Sequence, residues 1–179
     1  VDRNAGKQSL IMCAAGTMPG ALHVLWRAAQ GGYHMEYGFS CMGYEIAGGL
    51  GVKLAKPYED VIVMVGDGPY MMMNSEIATS IMMGAKLNIV VLDNRGYGCI
   101  NRLQMATGSA SFNNLLKDTW HKELPGLDFA AHAASMGAIA VKVKSIAELE
   151  TALAKTKSET RTCVIVIDTD PLITTKEGG

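Results

Sequence analysis

Five short apolar runs rich in Val, Ile and Leu alternate with helix-like segments, and this alternation limits the possible folds more than any other feature. The runs are SLIMCA, DVIVMV, LNIVVL, AIAVKV and TCVIVIDT. Continuous apolar character is typical of strands that are covered on both faces. Strands that alternate with helices favour an open, mostly parallel sheet with right-handed crossovers. The sequence therefore predicts a doubly wound α/β fold with helices on both faces of the sheet.

Helical patterns fill most of the intervals between these runs. The segments are PGALHVLWRAAQGG (Pro19 to Gly32), CMGYEIAGGLGVKLA, YMMMNSEIATSIMMGA, DFAAHAASMG and SIAELETALAKTKS. The stretch from Gly98 to Gly126 has no clean period. A stretch of that length within a compact domain is usually functional or mobile.

Composition narrows the class of protein. The 179 residues suffice for one domain, and the net charge of -1 offers no basic surface for a nucleic acid. No apolar run approaches the roughly 20 residues that span a bilayer, so we expect no membrane partner. The cysteines contain no C-x-x-C and are far apart, which favours a reducing cytoplasm over a disulfide framework or a zinc site. They are Cys13, Cys41, Cys99 and Cys163.

Two polar turns follow neighbouring apolar runs and indicate a ligand site. Gly66-Asp67-Gly68 closes one run, and Asn94 closes the next after 25 intervening residues. Ligands of open α/β sheets bind at the carboxyl ends of the strands. The glycines would allow positive φ and close approach of a phosphate, but the Asp67 carboxylate would repel that phosphate. A shared Mg²⁺, which prefers hard oxygen ligands, resolves this conflict.

Either turn alone is common in proteins without any such site. Their combination around one strand–helix–strand unit resembles the diphosphate and metal motif of thiamine diphosphate (TPP) enzymes. AAGTMPGALH resembles the first diphosphate-contacting turn of that family, and YGFSCMGYEIAGGLGVKLAKP resembles its aminopyrimidine-facing segment. Among branches of the family, EYGFSCMGYEIAGG, LDNRGYGCINRLQ and SFNNLL look most like the hydrolases that open trihydroxycyclohexane-1,2-dione in inositol catabolism.

The resemblance implies a set of metal and cofactor contacts. Mg²⁺ would be held by the side chains of Asp67 and Asn94 and by the carbonyl of Gly96. The backbone of Ser40 and Met42 would face the aminopyrimidine, with the Met42 side chain beneath the thiazolium to impose a bent conformer. Without the flanking motif, Met42 would be interpreted as a core methionine. The residues implied in diphosphate binding are Gly16, Thr17, Gly66, Gly68, Pro69 and Tyr70.

Pro69 departs from the family pattern, which usually has a small hydroxyl residue after G-D-G. Proline suits the first turn of a helix, so the fold should tolerate it. It nonetheless removes one N–H and one hydroxyl from the phosphate cradle, and the amides of Tyr70 and Met71 would have to suffice. Arg95 and Arg102 could each attract an anionic group or simply be solvated.

The resemblance also implies an activity that this chain does not complete alone. A TPP-dependent hydrolase of this branch opens a cyclic polyol dione to a 5-deoxy-glucuronic acid. The glutamate that activates the pyrimidine belongs, in the family, to a separate domain that is contributed across a homodimer interface. No segment here resembles that domain, so we expect residues 1–179 to be one TPP-binding domain of a longer enzyme, with no catalytic residue of its own.

Two other functions stay open at this point. A carboligase of the acetolactate synthase type would have the same cofactor contacts. A non-catalytic nucleotide- or metal-binding module would share the doubly wound fold, but the chain has no G-x-G-x-x-G at the first helix and no Walker lysine.

Overall fold

The computed structural model describes residues 1–27 and 30–172. The strands are β1 Leu10–Cys13, β2 Tyr33–Met35, β3 Val61–Gly66, β4 Asn88–Asp93, β5 Ile139–Val143 and β6 Cys163–Asp168. The helices are α1 Met18–Leu25, α2 Tyr44–Ala55, α3 Asp67–Met72, α4 Glu76–Met82, α5 Gly98–Ala106, α6 Phe129–Ser135 and α7 Ile146–Thr156, with 3-10 turns at Asp2–Asn4 and Leu116–Asp118. Within these ranges, no helix has the length and apolar character needed to cross a bilayer.

The six strands form one parallel sheet in the order β2-β1-β3-β4-β6-β5, which confirms the predicted fold class. The chain moves from β1 outward to β2 and then returns past β1 to β3. The direction of winding therefore reverses between β1 and β3. Open α/β sheets bind ligands in the crevice at the carboxyl ends of strands at such a point.

Helices cover both faces of the sheet, and each face has its own apolar cluster. One cluster joins the inward side chains of α2, α4 and α6 to alternate residues of β1, β3, β4 and β6, among them Val63 and Ile89. The other joins α7 to the opposite face through Val90 and Ile165. Because neighbouring strand residues point to opposite faces, Ile89 and Val90 serve different clusters. The continuous apolar runs are explained by burial on both sides.

Several predicted helices have different bounds in the structure. The aminopyrimidine-facing segment becomes helical only at Tyr44, because Gly43 adopts φ +92° and interrupts the backbone before it. The single helix predicted over YMMMNSEIATSIMMGA is wrong, since Met73 leaves the helical region and Asn74 begins a turn before α4. Asn and Ser favour turns and caps over helix interiors.

One further helix is shorter than predicted, and two elements of the structure were not predicted at all. The first helix ends at Leu25 rather than at Gly31, and residues 28–29 of its predicted span lie outside the described part. The short edge strand β2 and the helix α5 were not predicted. The nine residues of α5 lie within the stretch that showed no clean period.

Gly49 and Gly51 provide a matched test of how closely α2 approaches the sheet. A Cβ on Gly49 would lie 2.4 Å from Cγ2 of buried Val63, whereas a Cβ on Gly51 would meet nothing within 4 Å. Valine is stiff at χ1, so we expect Gly49→Ala to lower the free energy of unfolding by about 1–3 kcal/mol. Gly51→Ala should raise it by about 0.5–1 kcal/mol, because alanine favours helix. Urea denaturation measures both, and equal effects would contradict this close packing.

Candidate cofactor site

The two polar turns lie side by side at the carboxyl edge of the sheet. Gly66 ends β3 opposite Leu92 of β4, so the residues that follow each strand are neighbours. Asp67 is the first residue of α3, and its Oδ2 accepts a 2.9 Å hydrogen bond from the Gly96 amide. Residues 66–68 and 94–96 are thus adjacent, although 66–68 form the junction of β3 and α3 rather than a loop.

The Asp67 carboxylate occupies a poorly solvated position. The residue is only 7% exposed, and this burial is the main reason that the pKa of Asp67 is raised above its ordinary value. The negative charge of Asp93 raises this pKa further, whereas the backbone amides of Gly96, Asp67 itself and Asn94 lower it. A cation at this carboxylate would favour the ionised form and oppose the effect of burial.

Asn94 carries an amide oxygen that lacks a partner. Its Oδ1 is buried and makes no hydrogen bond to the described residues. A Cβ on Gly98, at the start of α5, would lie 3.0 Å from the Asn94 Nδ2, so the amide is closely packed on its nitrogen side. An unsatisfied buried acceptor costs about 1–3 kcal/mol. A hard cation bound beside Asp67 would remove that cost, and the residues present therefore fit Mg²⁺.

Asp93 is a second carboxylate near these turns, and the sequence reasoning did not single it out. It is 2% exposed and forms an ion pair with Arg95, with 3.1 Å between Asp93 Oδ2 and Arg95 Nε. The Arg95 amide also donates to Asp93 Oδ1 at 3.1 Å. The guanidinium donates to the Leu127 carbonyl and lies 5.9 Å from the ring centroid of Phe129. Asp93 and Arg95 thus neutralise each other.

Gly96 occupies a position that no larger residue could take. Its φ is +154°, and a Cβ would lie 2.5 Å from the Asn114 carbonyl oxygen. This contact is backbone to backbone, because Gly96 forms an isolated antiparallel bridge with Leu115 and the Tyr97 amide donates to the Asn114 carbonyl at 2.7 Å. The loop that contains Asn114 and Leu115 is therefore fixed against the turn that contains Asn94.

The glycine pair of the G-D-G turn has a different role from the one predicted. Neither Gly66 nor Gly68 adopts positive φ, so that expectation is wrong. Close approach does matter at Gly68, where a Cβ would lie 2.7 Å from Tyr97 Cε1 and 3.2 Å from Met42 Cε. Met42 therefore lies against the G-D-G turn. Tyr97 was missed, and nothing in the sequence pattern distinguished it from a loop tyrosine.

Pro69 is the third residue of α3, where its missing N–H has no helical partner to lose. The side chain of Tyr70 is fully buried, and its hydroxyl lies 3.0 Å from His132 Nδ1. Burial raises the pKa of Tyr70 to about 12. The Tyr70 side chain belongs to the core, and its amide is the first that bonds within the helix, to the Gly66 carbonyl.

The turn at Gly16 and Thr17 and the predicted aminopyrimidine-facing segment form the remaining parts of the candidate site. Gly16 has φ +96°, and Thr17 precedes α1 and accepts a 2.7 Å hydrogen bond from Arg102 Nη2. Ser40 is exposed with φ +52°, in a loop whose Phe39 and Cys41 amides donate to Glu36. These two amides lower the pKa of Glu36.

The metal ligands of the prediction do not form a cluster of acidic residues. In the described ranges, no three His, Cys, Asp or Glu side chains come together as a metal site. The predicted set instead combines one carboxylate, one amide and one carbonyl. A separate cavity of about 520 Å³ lies between α7 and strands β5 and β6, and none of the predicted site residues lines it.

Comparison with known proteins decides the family. A family model described as "Thiamine pyrophosphate enzyme, C-terminal TPP binding domain" matches residues 14–167. The chain belongs to this family. The match covers all the predicted metal and cofactor residues, and it confirms the TPP-enzyme resemblance.

Curated relatives at 41–44% identity are named as hydrolases. A 3D-(3,5/4)-trihydroxycyclohexane-1,2-dione hydrolase of Bacillus anthracis is 44% identical over 92% of this chain and 27% of its own length. The enzyme of that name from Halalkalibacterium halodurans is 41% identical over 100% of this chain and 28% of its own length. The chain thus spans about a quarter of the length of these relatives.

Solved structures of the family share the fold at low sequence identity. Benzoylformate decarboxylase of Polynucleobacter necessarius superposes with a TM-score of 0.83 at 20% identity, over 96% of this chain and 32% of that one. The 4-hydroxybenzoylformate decarboxylase of Rhodococcus jostii gives 0.80 at 19%, over 95% and 31%. At these identities the likeness concerns the fold alone.

Glu45 is a buried carboxylate that links two of the predicted cofactor segments. It is completely buried near the start of α2, and its Oε2 accepts a 2.9 Å hydrogen bond from the Gly43 amide. Its Oε1 has no partner within the described part of the chain. Burial raises the pKa of Glu45, whereas the amides of Glu45 itself, Gly43 and Ala15 lower it. Ala15 precedes the first diphosphate turn, so Glu45 lies between that turn and Met42.

We expect Glu45→Gln to stabilise the TPP-binding domain increasingly as the pH rises. A carboxyl whose folded pKa is raised contributes stability at pH values below its unfolded pKa, and this stability is lost as the pH rises through the folded pKa. Glutamine does not titrate, so the variant avoids that loss, which amounts to about 1.4 kcal/mol per pKa unit. Urea denaturation between pH 4 and pH 8 measures the difference. Exposed Glu123→Gln is the control, and a pH-independent effect of Glu45→Gln would contradict the account.

Proposed function

We propose that this chain is the diphosphate- and Mg²⁺-binding domain of a TPP-dependent hydrolase that opens trihydroxycyclohexane-1,2-dione in inositol catabolism. The observation that carries the proposal is the hydrogen bond from Gly96 to Asp67, because it holds a carboxylate beside the turn of the unpartnered Asn94 amide. The hydrolase branch is supported by 41–44% identity to trihydroxycyclohexane-1,2-dione hydrolases. The family match and the identity to these hydrolases support this function over the carboligase and the non-catalytic module.

Three residues would hold the metal ion. Asp67 supplies the single negative charge, Asn94 supplies its free amide oxygen, and Gly96 supplies a carbonyl from a backbone position that excludes other side chains. Mg²⁺ prefers about six oxygens and usually takes few of them from protein. The positions left by these three ligands suit diphosphate oxygens and water.

The diphosphate would lie among backbone amides. The Gly68 amide in the first turn of α3 has no helical acceptor, and it faces the same edge of the sheet as Gly16 and Thr17. Gly66 and Pro69 shape this turn without donating to it, since Gly66 is the extended residue before the helix and Pro69 lacks an N–H. The hydroxyl lost at Pro69 leaves this cradle short of one donor.

The rings would lie against the segment that precedes α2. Gly43 keeps Ser40 and Met42 outside the helix, which leaves their backbone groups free to face an aminopyrimidine. The Met42 methyl group contacts the position of Gly68, so the side chain lies between this segment and the G-D-G turn. In that position it would support the thiazolium from below. When bound, TPP supplies the electron sink for carbon–carbon cleavage.

A second copy of the enzyme would cover the exposed face beside this site. Several large apolar side chains near the site are exposed, with Phe39 90% exposed, and Met72 and Met73 lie against Gly43. Exposed apolar surface of this kind marks protein interfaces. We propose that it packs against the pyrimidine-binding domain of a homodimer partner, which would also provide the activating glutamate. The four unpaired thiols agree with a cytoplasmic enzyme.

Calorimetric titration of the purified chain with TPP tests the proposal. We expect binding in Mg²⁺ and at least tenfold weaker binding in EDTA, with NAD and ATP binding more weakly than TPP. Asp67→Ala should abolish the Mg²⁺-dependent part, because it removes the only charged ligand. Asn94→Ala should weaken binding about tenfold, as expected for one lost polar contact.

Two control variants separate metal binding from folding. Asp2→Ala removes a carboxylate that pairs with Arg27, beyond the far end of α1, and Asn74→Ala removes an exposed loop amide. Both should bind TPP as the parent does. If Asp67→Ala binds TPP and Mg²⁺ like these controls, the metal assignment is wrong. If NAD or ATP binds more tightly than TPP, the chain is a nucleotide-binding module instead.

A further inference from the structure

Two arginines lie near the candidate site, and only one of them forms an ion pair with a carboxylate of the described residues. Arg95 pairs with Asp93 and donates to the Leu127 carbonyl. Arg102 makes one hydrogen bond to the described part of the chain, at 2.7 Å from its Nη2 to Thr17 Oγ1. No carboxylate among the described residues lies within ion-pair distance of it. Arg102 therefore keeps its positive charge available.

The helix α5 places Arg102 between the two parts of the site. Gly98 and Arg102 are four residues apart and hence on the same face of the helix. Gly98 lies against the Asn94 amide, and Arg102 reaches Thr17 one turn later. The same face of α5 thus runs from the turn after β4 to the turn after β1. A diphosphate that contacts both turns would lie along this face.

The charges at the site also call for another cation. A diphosphate carries more negative charge than one divalent ion neutralises, and Asp67 adds a further negative charge. Pro69 removes a donor from the cradle, and Arg95 is already neutralised by Asp93. A guanidinium offers five N–H donors in a planar fork that matches phosphate oxygens. Only one of these donors is directed at Thr17.

We propose that Arg102 is a diphosphate-binding residue, held at the first turn by Thr17, that donates its remaining N–H groups to the cofactor's phosphate oxygens. This inference rests on the proposed function. In this proposal the Arg102 side chain supplies hydrogen-bond donors to the diphosphate, in place of the donor that Pro69 lacks. The bond to Thr17 orients the fork before the cofactor arrives, so less conformational freedom is lost on binding.

The test compares Arg102→Gln with two matched variants by calorimetric titration in Mg²⁺. The ligands are TPP, inorganic pyrophosphate and thiamine, which has no phosphate. We expect Arg102→Gln to weaken TPP and pyrophosphate at least tenfold, as for a lost charge-assisted hydrogen bond, and to leave thiamine unchanged. Arg102→Lys should retain more affinity than the glutamine variant, because it keeps the charge. Arg161→Gln, whose guanidinium contacts the Gly137 carbonyl, should bind as the parent does.

The remaining outcomes separate a failure of the proposed function from a failure of the Arg102 inference. A parent chain that does not bind TPP with Mg²⁺ defeats the proposed function itself. A parent that binds TPP together with an Arg102→Gln variant that binds it equally well overturns only this inference. The inference also fails if Arg102→Gln weakens thiamine as much as it weakens TPP. Thermal unfolding checks that each variant folds. If Arg102→Gln does not fold, the inference is tested with Arg102→Lys, and it is overturned if that variant folds but shows no detectable binding of TPP.

Discussion

The hydrogen bond from the Gly96 amide to the Asp67 carboxylate is the interaction on which the site depends. It joins the turns after β3 and β4 and holds the carboxylate in a position that water scarcely reaches. The parallel register of the two strands makes this contact possible, because Gly66 and Leu92 are paired neighbours. Because Gly96 has no Cβ, the Asn114 loop can approach from the other side. The strands β3 and β4, the turn at Gly96 and the Asn114 loop together fix the position of the buried Asp67 carboxylate.

The sequence alone was enough to predict the sheet and the pairing of these turns. Continuous apolar runs predict buried parallel strands, and polar residues directly after two consecutive strands must meet at one edge when those strands are adjacent. Asp67 and Asn94 were predicted on this basis, together with the TPP-enzyme resemblance. The two turns are neighbours in the structure because local pattern and tertiary arrangement agree in this part of the chain, and their role in metal binding stays a prediction.

The features that escaped prediction depend on tertiary contacts. The edge strand β2 has three residues, too few to show a period. The helix α5 exposes Leu103 and Met105 and buries Asn101, so its sequence does not show the apolar period of an ordinary surface helix. Tyr97 acquires its position through contact with Gly68, which is distant in sequence. Arg102 was named from the sequence, but its contact with Thr17 was not. The ion pair of Asp93 and Arg95 likewise becomes evident only when burial is known.

The location of the metal ion tests the central claim most directly. A crystal of the chain grown with TPP and Mn²⁺ in place of Mg²⁺ would give an anomalous difference peak at the metal. The account predicts one peak at about 2.1–2.2 Å from an Asp67 carboxylate oxygen, the Asn94 amide oxygen and the Gly96 carbonyl, with diphosphate oxygens in the remaining positions. A bound cofactor whose metal lies away from Asp67, or an Asn94 amide oxygen that stays without a ligand when the site is filled, would contradict it.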